Sequence, residues 1–176
     1  SLKANTTGIN NSSVGQQSLT ANTTGCNNAA LGRLALAVNT EGDENVAIGS
    51  CSLRRSTTAN NNTAVGACSL YANTTGALNV AVGLCALASN TTANNNVAVG
   101  RLALSSNTTS AYNVAVGNCA SASNTTGTRG TAVGFQAASK NTTASHTTAI
   151  GNLALYSNTT GHSNTGSGSY ALYKNT

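Results

Sequence analysis

The chain has 176 residues, a net charge of +5, 6% charged and 3% aromatic residues, and no proline. So little charge and so few large side chains are unusual for a globular enzyme, and they would suit a disordered chain if the apolar residues were not held in strict columns. The eight basic residues (Lys3, Arg33, Arg54, Arg55, Arg101, Arg129, Lys140, Lys174) are scattered without an aromatic stripe, which disfavours nucleic acid as a partner, and no apolar run is long enough for a helix to cross a membrane.

The order in the sequence is a repeat of 17 residues without insertion or deletion. Aligned on leucine, position one is Leu2, Leu19, Leu36, Leu53, Leu70, Leu87 and Leu104, then Ser121 and Ala138, then Leu155 and Leu172. A fixed short period names an architecture in which each repeat contacts only its neighbours. Seventeen residues are too few for a pair of helices, and Asn, Thr, Ser, Gly and Val are poor interior helix formers. They leave room for two or three short strands with turns between them. The expected fold is all-β: a parallel β-solenoid, or β-roll, of about ten 17-residue coils stacked at roughly 4.8 Å. The repeat is unbroken, so residues 1–176 read as one array. Because the pattern runs to both ends without a capping repeat, the array is expected to be a fragment of a longer fibre.

Taken in chain order, each coil after its leucine reaches an Asn at position four: Asn5, Asn22, Asn39, Asn73, Asn90, Asn107, Asn124, Asn141 and Asn158, with Ser56 the one departure. Stacked Asn side chains can hydrogen-bond to the coils above and below and cap a tight turn, so this column is expected to be an internal ladder. Positions five and six are almost always Thr-Thr, and position ten is usually Asn. Next comes a short strand with Val, Ile or Thr at positions eleven and thirteen and a small residue at twelve. Period two puts eleven and thirteen on one face, read as the interior. Position twelve (Ala64, Ala81, Ala98, Ala115, Ala132, Ala149) then points outward, as does the Ala/Ser column at seventeen. A uniform column of small residues allows a second surface to approach closely, so these alanines are read as a subunit interface. Position fourteen is glycine in ten coils (Gly15, Gly32, Gly49, Gly66, Gly83, Gly100, Gly117, Gly134, Gly151, Gly168), where the chain has to turn.

Position sixteen holds Leu34, Leu102 and Leu153, and in other coils Cys51, Cys68, Cys85 and Cys119. Exchange with leucine suggests small buried hydrophobes, so these four are read as free buried thiols, with Cys26 isolated at position eight. Glu41, Asp43 and Glu44 lie in one coil and Arg54 and Arg55 open the next, suggesting a local ion-pair group. No coil breaks the pattern to build a site. His146 and His162 occupy adjacent coils without a carboxylate nearby, and no nucleophile elbow, phosphate loop, zinc motif or carboxylate pair is present. No catalysis, cofactor or metal is expected.

The unit LYANTTGALNVAVGLC and its sibling ALYSNTTGHSNTGSGSY resemble the NTTG and AVGxxAL repeats of phage and virus tail-fibre proteins. The NVAVG and NVAIG words are also similar to the head repeats of trimeric autotransporter adhesins. The resemblance covers the whole chain. It implies a homotrimer of β-rolls, extracellular, on a cell surface or on a virion, serving as a structural or adhesive fibre segment that meets a cell-surface receptor or glycan. The tyrosine usual after AVG is absent, with Leu84, Arg101, Asn118 or Phe135 in its place. Two other roles fit the residues: an ice-binding solenoid using the Thr columns at positions five and six, and a filament that assembles end to end.

Overall fold

The structure is a computed structural model and describes residues 1–175. Each coil contributes one three-residue strand: β1 (Ser12–Val14), β2 (Ala29–Leu31), β3 (Val46–Ile48), β4 (Thr63–Val65), β5 (Val80–Val82), β6 (Val97–Val99), β7 (Val114–Val116), β8 (Thr131–Val133), β9 (Thr148–Ile150) and β10 (Thr165–Ser167). They pair in chain order into one parallel ten-stranded sheet. The register joins like positions, as Val80 to Val97, Ala81 to Ala98 and Val82 to Val99. The chain is an all-β parallel solenoid with the expected repeat, and among the described residues no helix is long and apolar enough to cross a membrane.

One strand per coil is fewer than the two or three that the sequence leaves room for. The other sides of the coil are turns, yet their backbone groups also pair with the neighbouring coil. The Thr74 N–H donates to the Thr91 carbonyl at 2.9 Å, Leu87 N–H to Ala103 at 3.0 Å, and Cys85 N–H to Ala67 at 3.0 Å. Stacking identical coils therefore satisfies the whole circumference, not the sheet alone. The turns depend on left-handed backbone at positions nine, sixteen and one, as at Leu78 (φ 59°), Cys85 (55°) and Leu87 (51°). Position fourteen goes further, with Gly83 at φ 134°, a region reserved for glycine. A Cβ there would sit 2.6 Å from the Gly100 carbonyl carbon.

The interior is the reverse of the expected one. Ala64, Ala81, Ala98, Ala115, Ala132 and Ala149 are buried in the chain's own core, at 0–2% exposure. The flanking Val, Ile and Thr of the strands face outward: Val14, Leu31, Ile48, Val133 and Ile150 are exposed. Period two separates the two faces correctly, but it does not say which one is inside. Coil width decides that. The Leu column at position one, from Leu19 to Leu104 and again at Leu155, is buried and fills the narrow interior. The wall facing it has room for a methyl group and no more, so alanine turns in and valine turns out.

A second expectation fails for a related reason. The sequence pattern places position seventeen outward, between the apolar positions sixteen and one. Both adopt left-handed φ, which destroys strand alternation. Position seventeen (Ala86, Ala103, Ala120, Ala137, Ala154) is buried beside the leucines. Where that column holds Ser52 and Ser69, the hydroxyl donates to the carbonyls of Gly49 and Gly66, each at 2.9 Å, so neither of these two hydroxyls is stranded.

Candidate functional site

The side chains lining the turn that leads into the sheet form two amide ladders. In the first, at position four, Asn22 donates from Nδ2 to Asn5 Oδ1 at 2.8 Å, Asn39 to Asn22 at 2.9 Å, Asn90 to Asn73 at 2.8 Å, and Asn107 to Asn90 and Asn124 to Asn107 at 3.1 Å. Each also closes its own turn, as Asn73 Nδ2 does on the Gly76 carbonyl at 2.8 Å. Ser56 interrupts the run. Its hydroxyl and the Asn39 Oδ1 below it are both buried without a partner. At Asn141 the Oδ1 accepts from the Ala144 N–H at 3.0 Å, and Asn124 Oδ1 is left without a donor.

The second ladder is at position ten, where the sequence shows a column of asparagines but gave no reason to assign it a role. Asn79 Oδ1 accepts from the Asn96 N–H at 3.0 Å, and Asn79 Nδ2 donates to Asn62 Oδ1 at 3.1 Å and to the Ala93 carbonyl at 2.8 Å. Asn90, from the first ladder, donates to the same carbonyl at 3.1 Å. The two ladders meet at position seven and fix the shape of the turn between them. The clue in sequence was an amide placed immediately before the apolar strand in coil after coil.

The ten glycines of position fourteen all have positive φ, from 117° to 137°. Of the two Thr columns, position five is committed to the fold: Thr74 and Thr91 each donate a hydroxyl to the carbonyl of the next coil at 3.1 Å. Position five is mostly half-exposed and position six (Thr75, Thr92, Thr109, Thr126) is exposed, so among the described residues the fully exposed Thr array is one column wide.

The surface most suited to a partner is the outer face of the sheet. Positions eleven and thirteen put two columns of Val, Ile, Leu, Thr, Ala and Ser side by side over ten strands, with no charged residue in either column. At the inter-strand spacing the strip is roughly 43 Å long. These are the columns that the sequence reading placed inside, while the alanines it offered as an interface are out of reach of any partner. Leu84 (47% exposed) and Phe135 (51%), at position fifteen, extend the strip beyond the strand.

Cys51, Cys68, Cys85 and Cys119 are free but half-exposed rather than buried. Burial, followed by its neighbours Cys85 and Cys51, pushes the Cys68 thiol above its ordinary pKa. The expected ion-pair group takes another form. Arg54 and Arg55 lie over the Tyr71 ring at 5.8 and 5.3 Å, and Arg54 Nη1 donates to Tyr71 Oη at 3.1 Å. Asp43 Oδ1 accepts from the Cys26 N–H at 2.7 Å. Acids and arginines sit on different sides of the coil, which separates them. His162 Nδ1 accepts from the Ser145 N–H at 3.0 Å, a turn contact. Among the described residues no group of His, Cys, Asp and Glu side chains is placed to hold a metal.

No family model, curated protein or solved structure matches the chain. Its role has to be argued from the geometry.

Proposed function

We propose that the chain is a structural or adhesive segment of a fibre, extracellular, on a cell surface or on a virion, and that it works as a homotrimer packed through the outward strand columns of its sheet. The observation that carries this reading is the uncharged outer strip of the sheet, apolar at position thirteen from Val14 to Ile150 and mostly Val and Thr at position eleven. Every added coil lengthens the strip by the same increment, so association strengthens with repeat number while the core of each coil stays thin. The tail-fibre and adhesin-like words NTTG and AVG support the same assignment. A receptor or glycan is the expected target at the fibre surface, and the role is non-enzymatic.

Light scattering over a range of concentrations tests the reading. A stable mass near three times 17.3 kDa is expected, and lysine at Val82 and Val99 together is expected to bring it down to a monomer with the fold intact by circular dichroism. A clean monomer for the unaltered chain at all concentrations would overturn the trimer. An ice-recrystallisation assay would then test the position-six threonines, and polymers much longer than the single array would favour end-to-end assembly.

A further inference from the structure

We propose that Cys51, Cys68 and Cys85 form an oxidisable thiol trio on the outside of the stack, in which Cys68 joins either neighbour in a reversible disulfide between adjacent coils. The three hold the same position in three successive coils. Backbone hydrogen bonds keep them in step: Cys68 N–H donates to the Ser50 carbonyl at 2.9 Å and Cys85 N–H to the Ala67 carbonyl at 3.0 Å. Their φ angles of 61°, 56° and 55° are nearly equal, so the Cα–Cβ bonds run parallel and the thiols lie on one side of the chain. All three are free and half-exposed, within reach of a small reagent.

The spacing allows the bond but does not relax it. Stacked coils place like Cα atoms roughly 4.8 Å apart, inside the range that disulfides span, while the Cβ atoms must close from about that distance to about 3.8 Å. A pinched disulfide is more easily reduced than a relaxed one, which makes it reversible. The geometry also excludes the other cysteines. Cys119 shares the column but lies two coils from Cys85 with Leu102 between, roughly 9.6 Å away and beyond bridging distance. Cys26 is at position eight, elsewhere on the coil.

The oxidant required is a low-molecular-weight disulfide such as glutathione disulfide. The thiolate of Cys51 or Cys85 attacks one sulfur, the S–S bond breaks, and one glutathione leaves as thiol after taking a proton. Cys68, deprotonated, attacks the protein sulfur of the mixed disulfide and expels the second glutathione as thiol. Two protein thiols lose two protons and two electrons, and one glutathione disulfide becomes two glutathione molecules. Burial and the flanking thiols raise the Cys68 pKa, so its resolving step is expected to quicken as pH rises through the alkaline range. The outcome is a staple joining two coils, with one thiol of the trio left over to exchange with it.

The test is to treat the full chain with glutathione disulfide, alkylate the remaining thiols, and measure intact mass and tryptic peptides without reduction. Trypsin cuts after Arg33, Arg54, Arg55 and Arg101, so a Cys51–Cys68 bond joins peptides 34–54 and 56–101, and a Cys68–Cys85 bond closes within 56–101. Two thiols are expected to disappear without a retained adduct, to return on mild reduction, and to include Cys68 in every bonded species. Cys51→Ser and Cys85→Ser should each still form the bond, and Cys68→Ser should carry glutathione adducts in its place. The proposal is overturned if the unaltered chain holds only adducts or interchain bonds, or if Cys68→Ser loses two thiols as the unaltered chain does.

Discussion

On the sheet side of the coil the inward column is alanine, buried at 0–3% in β2 to β9, with valine and isoleucine turned to solvent. On the turn leading into the sheet the inward columns are asparagines, also buried, most of them bonded along the stack and across their own turn. One wall is held by contact and the other by hydrogen bonds, and both are lined by side chains that hydrophobicity alone would place elsewhere. In a coil this narrow the interior accepts what fits and what closes the turn. The sheet wall needs only a methyl group between the Leu column and the backbone. The turn wall must satisfy carbonyls and N–H groups that no strand pairs, and the amide is the side chain that offers both a donor and an acceptor.

If the walls differ in this way, they should fail differently. Asn79→Leu keeps the branched shape but strands the Asn96 N–H and removes the bonds to Asn62 and Ala93. It is expected to cost about 3 kcal/mol, read from the urea midpoint. The alanine wall should be sensitive to size instead. Ala98→Val overfills the interior and is expected to cost about 2 kcal/mol, whereas shortening its outward neighbour by Val99→Ala should cost less than about 0.5 kcal/mol of monomer stability. Equal effects of the two would remove the claim that alanine faces in. One change should be a gain. Ser56→Asn restores the missing rung between Asn39 and Asn73, gives the unpartnered Asn39 Oδ1 a donor, and is expected to raise stability by about 1 kcal/mol. A loss at that position would mean that the ladder does not stabilise the stack.

Much of this was readable beforehand, and the misses share a cause. The period, the parallel in-register pairing, the absence of helix and the positive φ at position fourteen follow from spacing and residue type, because a strict repeat can only stack like on like. The position-four ladder was legible because Ser56 is a lone exception in an otherwise constant column. The position-ten ladder was visible as a column but not as a role, since asparagine before a strand also reads as turn filler. Exchange with leucine does not imply burial for the thiols, because position sixteen is a corner where leucine itself is buried at Leu34 and half-exposed at Leu102 and Leu153.

The sequence alone determined a solenoid of 17-residue coils and where each coil turns, because repetition and glycine constrain the backbone directly. Only the tertiary structure decided which face of each strand is inside. Alternation divides a strand into two faces and ranks them by hydrophobicity, but the winner is set by the space between opposite walls of the coil. That space is fixed by the Leu column and by the left-handed residues at sixteen and one, which bring position seventeen inward beside it. The same geometry leaves valine and isoleucine on the outside, where a partner can reach them.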